Sequence, residues 1–296
     1  ATYRDPEVQC LIRSGGLEVC FEDPEITMDA ISGDDLGVEI EGFYKGWMFW
    51  PPVPYSYDTP NDLGRSAPSP PDGQHWLGTD DTTRDVLARV IYGFRLSILF
   101  ALIVTVFASI IGVIAGAIQG YFGGWLDLVF QRFLEVFSAL PSLYVIIILT
   151  AILGRSFWLL VTLSIIFGWP ALTGLIRAEF FRARNFEYVR AAQALGVSNW
   201  TIMMRHILPN AMVATLTFLP FIVTGAISTL AGLDFLGFGL PSSSPSLGEL
   251  SQQAKLNLQS PHLGFTAFFV FTIMLSLLVF IFEGVRDAFD PRKVFS

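Results

Sequence analysis

The residues of this sequence that are able to do chemistry are few and widely separated. His75, His206 and His262 lie in different parts of the chain and no Cys-x-x-Cys pair occurs, so neither a catalytic triad nor a metal site has visible partners. The phosphate-cradling loop Gly-x-x-x-x-Gly-Lys-Ser/Thr is missing. Gly237 and Gly239 begin a Gly-x-Gly pattern, but no third glycine follows at the spacing that dinucleotide binding requires. We therefore expect no catalytic residue, metal or cofactor in this chain.

Charged residues beside an apolar stretch form a second group of candidates. Asp127, Arg132 and Glu135 lie at the start of such a stretch. Arg132 and Glu135 are three residues apart and would pair on one face of a helix. Ionisable residues inside a membrane usually have a function, whereas a pair at the end of a span usually supports the structure. Their position favours the structural role, and gating is the alternative.

The two cysteines, Cys10 and Cys20, lie in an acidic segment. If this segment is outside the cytoplasm, a disulfide that closes the short loop between them is one interpretation. Two unrelated thiols are the other, and the sequence does not decide between them.

The composition indicates the kind of element that must position these residues. The chain has 296 residues, of which 52% are hydrophobic and only 15% charged. Soluble domains have about a quarter of their residues charged, so a disordered chain, a coiled coil and an ordinary soluble enzyme are all disfavoured. We expect a membrane protein.

Five uncharged stretches are each long enough to cross the hydrocarbon core of a bilayer as a helix. They cover residues 96–118, 136–154, 157–176, 211–233 and 264–282. Pro141, Pro170 and Pro220 fall inside them, which membrane helices tolerate better than long soluble helices do. The expected fold class is an all-α membrane protein with a transmembrane core over residues 96–293.

Charge divides the chain into two parts. Residues 1–95 hold 7 basic and 17 acidic residues, a balance of −10, whereas residues 96–296 hold 11 and 9, a balance of +2. Arginines concentrate between residues 177 and 205 and after the last span, which marks these segments as cytoplasmic. Alternating spans then place residues 1–95 outside, with a helix on the membrane surface near 80–95. The sequence has no basic stripe of the kind that would indicate nucleic-acid binding.

The cytoplasmic loop over residues 178–210 is predicted to hold two short helices. Ala191 and Ala192 favour a helix, and Gly196 is placed to end it. A second helix over 198–207 has Ser198 as its N-cap, and Pro209 precedes the next span. Such a unit is either a docking surface for another protein or an ordinary helical hairpin, and spacing alone leaves both open.

This loop resembles the coupling loop, or EAA motif, of the permeases of binding-protein-dependent ABC importers. In that motif a glycine follows Glu-Ala-Ala after three residues, and Ile-x-Leu-Pro follows after nine more. Arg190 and His206 replace the Glu and the Ile, at positions that the helix–glycine–helix shape does not require. The residues that the resemblance assigns to ATPase coupling are Phe186, Arg190, Ala191, Ala192, Gly196, Val197, Ser198, Leu208 and Pro209.

Further blocks resemble the oligopeptide and dipeptide (OppC/DppC) branch of that family. They are His75–Asp80 with Arg84-Asp85-Val86, Asp127 to Pro141, Trp169-Pro170 with Arg177, Leu236–Gly239 with Pro245-Ser246 and Gly248, and Arg286–Arg292. Trp50-Pro51-Pro52 and Ser56–Thr59 are similar to YejE-type members of the branch. The candidates for gating or structural support are Asp127, Arg132, Glu135, Pro141, Trp169, Pro170, Gly237 and Gly239.

The resemblance implies a type I ABC importer permease fold in the bacterial inner membrane, with a further first span before Ala1 that would export the acidic segment. It implies four kinds of partner: a homologous OppB/DppB-type permease, ABC ATPases that bind ATP and Mg²⁺, an extracytoplasmic peptide-binding protein, and membrane lipid. The implied substrates are oligopeptides, including peptide antibiotics such as microcin C. The competing class, a secondary transporter or channel, predicts inverted repeats and buried midplane charge, and neither is evident.

Overall fold

The computed structural model describes residue 53, residues 55–60 and residues 66–289. Cys10, Cys20 and the Trp50-Pro51-Pro52 block lie outside the described residues, as does most of the acidic segment. The disulfide therefore stays a prediction.

The described residues form ten α-helices and one π-helical segment, with two isolated β-bridges and no strand among them. The α-helices are α1 Val86–Phe122, α2 Gly124–Ser138, α3 Ser142–Leu153, α4 Phe157–Gly168, α5 Pro170–Ala183, α6 Glu187–Ala194, α7 Asn199–Thr201, α8 Leu208–Phe235, α9 Leu247–Leu256 and α10 Pro261–Phe289. The π segment, Ile202–Ile207, joins α7 to α8. The expected all-α fold class is confirmed.

Four helical runs are long and apolar enough to cross a membrane. They are α1, the joined α4 and α5, the run from Asn199 to Phe235, and α10. The pair α2 and α3, bent by 66° at its break, gives a fifth candidate. All five apolar stretches of the sequence fall in these helices. We call the end of the bundle that carries residues 184–207 the lower end, and the end that carries residues 66–85 and 236–260 the upper end.

Two boundaries differ from the sequence-based expectation. No separate surface helix covers residues 80–95, because residues 86–95 are the first turns of α1. Asp85 caps that helix by accepting a hydrogen bond from the Ala88 backbone N–H. Arg84 and Arg89 have acidic partners within the protein, described below, so their charges are neutralised without contact with lipid headgroups. The expected span at 136–154 is broken ahead of α3, where Pro141 lacks the N–H that an unbroken helix would need.

Three glycines let α1 pack closely against α5. Gly112, Gly116 and Gly120 are four residues apart and share one face of α1. A Cβ added at Gly116 would lie 2.6 Å from the Thr173 carbonyl oxygen, and one at Gly112 would lie 2.8 Å from the Trp169 oxygen. Such close approach is typical of small residues at helix contacts in membranes. The contact joins α1 to the helix that leads into the loop at the lower end.

Candidate functional site

The loop at the lower end is a helix–glycine–helix unit. Gly196 has a φ of +75°, a left-handed conformation that suits a residue without a side chain. The Val197 backbone N–H donates to the Ala192 carbonyl at 3.1 Å, which closes α6 with a Schellman-type turn. The Ser198 hydroxyl accepts a hydrogen bond from the Thr201 backbone N–H at 3.3 Å and so caps α7. The predicted cap and the predicted glycine turn are both present.

One face of this loop is exposed and partly apolar. Leu195 is 83% exposed, Trp200 is 65% exposed and Phe186 is 44% exposed. Arg190, Ala191, Gly196 and Ser198 are exposed with them, whereas Ala192 is buried and Val197 is half-buried. We call the exposed set Phe186, Arg190, Ala191, Leu195, Gly196, Ser198 and Trp200 the coupling surface. Leu195 and Trp200 were missed in the sequence, although large apolar residues on both sides of a predicted turn glycine are a usable signal.

Tyr121, at the end of α1, ties both loop helices to the membrane helices. Its hydroxyl donates to Asn199 Oδ1 at 2.8 Å and accepts from Gln193 Nε2 at 3.4 Å. Its backbone oxygen accepts a hydrogen bond from Arg184 Nη1 at 3.3 Å. Because Tyr121 is buried, these contacts hold the loop in one place against α1.

The second loop helix runs into α8 without a break. The π segment bridges the two, and the Leu208 backbone N–H donates to the Met203 oxygen five residues back. Leu208 is half-buried and Pro209 exposed in the first turn of α8, where a missing N–H does little harm. The second half of the loop, from Asn199 onward, is therefore continuous with α8.

Asp127 and Arg177 form an ion pair between α2 and α5. Arg177 Nε lies 2.5 Å from Asp127 Oδ1, and Arg177 Nη2 lies 2.6 Å from Oδ2, a two-pronged geometry. The other two candidates pair as predicted, with Arg132 Nη1 2.5 Å from Glu135 Oε2, but both of those side chains are exposed. The structure thus brings Asp127 to Arg177, 50 positions away, and not to its neighbours on α2.

We expect Asp127→Asn to lower the temperature of unfolding of the purified protein in detergent. The Asp127 side chain is 9% exposed, and its loss of charge leaves the Arg177 guanidinium without a matching carboxylate. Because the Arg177 side chain is 31% exposed and water can reach it, we expect a cost of about 1–3 kcal/mol, the range for a lost hydrogen-bond partner. Glu135→Gln is the matched control, because exposed pairs contribute little. Fluorescence-detected size-exclusion after heating measures both, and equal shifts would contradict the assigned difference.

Pro141, Trp169 and Pro170 mark the breaks in two neighbouring spans. Pro141 precedes α3, and Trp169 joins α4 to α5. Phe137 stacks on Phe167 with ring centroids 5.4 Å apart and lies near the Trp169 ring. A cavity of about 310 Å³ opens between the two breaks. Pro170 lines this cavity together with Leu140 and Ser142, the two neighbours of Pro141.

The turn after α8 at the upper end is built around Asp234. Its buried carboxylate accepts a hydrogen bond from the Leu240 backbone N–H at 2.6 Å and another from the Ser246 hydroxyl. A Cβ at Gly239 would collide with this carboxylate, and Gly237 has a φ of +80°, so both glycines are required by geometry. Gly237 and Gly239 therefore have a structural role here.

A buried charge network fixes the upper end of α1 to α9. Arg89 Nη2 lies 2.7 Å from Glu249 Oε2, and Arg84 Nε lies 2.8 Å from Asp80 Oδ2. His75 Nδ1 lies 2.7 Å from Asp85 Oδ2. The sequence did not reveal the contact of Arg89 with Glu249, because these residues are 160 positions apart. Within the described residues, no group of three His, Cys, Asp or Glu is placed to hold a metal ion.

Burial makes this network sensitive to pH. Burial is the main cause that raises the pKa of Glu249 above its ordinary value near 4.5, although Arg89 and Arg84 lower it. Partial desolvation and the charge of Asp80 also raise the pKa of Asp81, although that residue is exposed. Just above their ordinary pKa values, these two carboxyl groups bind more protons in the folded protein than in the unfolded chain, so their contribution to stability falls as pH rises.

We expect Glu249→Gln to flatten this pH dependence. The variant cannot release a proton at position 249, so the slope that remains in that window belongs to Asp81 and the other groups. Unfolding temperatures of the wild type and the variant in detergent, from about pH 4.5 to about pH 7, provide the measurement. A difference between the two proteins that stays constant with pH would contradict the raised pKa of Glu249.

Comparison with known proteins agrees with this architecture. Residues 108–294 match the family model described as binding-protein-dependent transport system inner membrane component. The chain is 57% identical to the peptidoglycan transport system permease protein YejE of Agrobacterium fabrum, over 85% of this chain and 72% of that protein. It is 35% identical to the oligopeptide transport system permease protein OppC of Bacillus subtilis, over 80% of this chain and 78% of that protein.

The fold has a solved counterpart. An inward-facing structure of the MetNI methionine ABC transporter superposes with a TM-score of 0.56 at 14% identity, covering 68% of this chain and 96% of that one. The predicted resemblance to the oligopeptide and dipeptide branch, and to its YejE-type members, is confirmed. The chain belongs to the family of binding-protein-dependent transport system inner membrane components, and it is an inner membrane permease of an ABC transporter.

Proposed function

We propose that this permease forms half of a pathway for peptides in an ATP-driven importer. Support comes from the names of two relatives, one assigned to peptidoglycan transport and one to oligopeptide transport. Both kinds of cargo contain peptide chains, so the proposed substrate class is short peptides, including the peptide parts of cell-wall fragments. Peptide antibiotics such as microcin C belong to the same chemical class.

The observation that carries the proposal is the coupling surface. It is exposed and partly apolar, and it includes Trp200 in the first turn of the continuous helix Asn199–Phe235. A partner that moves this surface also moves α8, which is the requirement for coupling ATP hydrolysis to transport. ATP and Mg²⁺ would bind to separate ATPase subunits that dock there, because this sequence has no phosphate-binding loop.

A second permease would complete the pathway. The bent pair α2 and α3 leaves large apolar side chains uncovered, including Trp125 at 83%, Val136 at 72% and Ile152 at 73% exposure. Next to it, a cavity of about 280 Å³ is lined by Ser142, Ser164, Phe221 and other residues of α1, α3, α4, α5 and α8. Its mixture of apolar and hydroxyl groups would suit peptides of varied sequence, delivered by a binding protein at the upper end.

Copurification and uptake test the proposal together. A tagged chain, expressed with its neighbouring transporter subunits, should retain an ATPase and a second permease through purification in mild detergent. Cells that lack the chain should fail to take up labelled peptides of two to ten residues, and expression of the chain should restore uptake. Unlabelled cell-wall peptides should compete. Absence of an ATPase from the complex, or uptake that does not depend on the chain, would overturn the proposal.

A further inference from the structure

A pocket at the upper end of α1 combines a cation with aromatic rings. It has a volume of about 470 Å³. Its lining includes Tyr57, Tyr92, Arg95, Leu99, Phe157 and Trp158, which we call the headgroup pocket. The Tyr57 and Tyr92 rings lie 4.9 Å apart, so the segment before α1 closes one side of the pocket. The pocket does not belong to the coupling surface or to the cavity beside α3.

The cation in this pocket is available for a ligand. Arg95 is exposed and has no hydrogen-bond or ion-pair partner among the residues that the structure describes. The two other arginines near the start of α1, Arg84 and Arg89, both have acidic partners. A free guanidinium beside phenol and indole rings offers hydrogen-bond donors to an anion such as a phosphate.

An apolar stripe leads from the pocket down α1. Leu99, Leu102, Val106 and Ile110 follow at helical spacing, and between 41% and 52% of each side chain is exposed. Ile110 lies 11 positions after Leu99, which at a rise of 1.5 Å per position is about 16 Å. One leaflet of the hydrocarbon core is about 15 Å thick. The stripe therefore has the length of one acyl chain.

We propose that the headgroup pocket and this stripe bind a phospholipid with an anionic headgroup. The phosphate would lie against Arg95, and an acyl chain would follow Leu99 toward Ile110. Exposed Trp158 and Tyr92 are residue types that concentrate at the level of lipid headgroups. A peptide fits less well, because its backbone N–H and carbonyl groups need many partners and the stripe offers none.

The binding test uses the assembled transporter in detergent and measures lipid binding by native mass spectrometry. Dioleoylphosphatidylglycerol should bind more tightly than dioleoylphosphatidylcholine, which has the same chains but no net charge. Arg95→Gln should reduce this preference roughly fivefold, the effect of about one basic residue near a charged surface. Arg95→Lys should retain it. Lys255→Gln is the matched control, because Lys255 is an exposed upper-end cation outside the pocket lining.

A crosslinking experiment in native membranes locates the occupant. A photoreactive benzoylphenylalanine at position 99 should form an adduct with phospholipid, and Arg95→Gln should reduce its yield. Excess glycerol phosphate should not compete, because it lacks the acyl chain. The proposal would be overturned by crosslinking only to another protein helix or by competition from glycerol phosphate. It would also be overturned if Arg95→Gln changed neither the yield of the lipid adduct nor the lipid preference.

Discussion

Replacing Gly196 with tryptophan should abolish substrate-stimulated ATP hydrolysis by the assembled transporter. The residue has a φ of +75°, where an L side chain costs roughly 1–2 kcal/mol. No atom lies within 4 Å of a Cβ built there, so the indole would project from the coupling surface. It would hold an ATPase away from the surface that it must contact. ATPase activity with and without peptide, in the purified complex, measures the effect.

Gly196→Asn separates the effect of side-chain size from the effect of backbone conformation in this experiment. Asparagine tolerates the left-handed conformation better than other residues with a side chain, and it is small. We expect it to keep most of the stimulation, with the ATPase still bound. Wild-type uptake and stimulation in Gly196→Trp would show that the coupling surface does not dock the ATPase. Equal loss in both variants would assign the effect to the turn and not to docking.

Gly116→Val should destabilise the whole permease. A Cβ at this position would lie 2.6 Å from the Thr173 oxygen and 2.9 Å from the Ile176 Cβ, so α1 and α5 must separate. Overpacking of this kind typically costs about 1–3 kcal/mol. For a chain of this size that corresponds to a fall of roughly 2–12 °C in the temperature of unfolding. Because α5 leads into the loop, assembly with the ATPase should also weaken.

Gly174→Val is the matched control on the other side of this contact. Gly174 lies on α5, is exposed, and has no atom within 4 Å of a built Cβ. Thermal unfolding in detergent should show little change for this variant. A fall as large as that of Gly116→Val would mean that valine harms these helices through its backbone preference and not through the α1–α5 contact.

The sequence was sufficient for what depends on local composition. Uncharged stretches located the spans because a bilayer demands about 20 apolar residues in a row. Gly196 and Ser198 were found because a left-handed turn and an N-cap each select a few residue types. The structure of the coupling loop could therefore be predicted from the sequence alone, including Gly196, which ends its first helix.

Contacts between residues far apart in the sequence could not be predicted in the same way. Arg89 looked like a charge at a membrane surface until its partner Glu249 was placed beside it. The sequence analysis assigned no partner to Asp127, and its partner Arg177 comes from α5. A single sequence contains no signal for such pairs, since nothing in local spacing distinguishes a partner 50 or 160 positions away.

The unbroken helix from Asn199 to Phe235 has a mechanical consequence. Its 37 residues make a rod about 55 Å long, at 1.5 Å per residue. A tilt of about 10° around its lower end would displace the far tip by about 10 Å, simply from that length. The tip carries Asp234, which holds the turn after α8 in place. A small tilt of this helix at one membrane face thus produces a large displacement of its end at the other face.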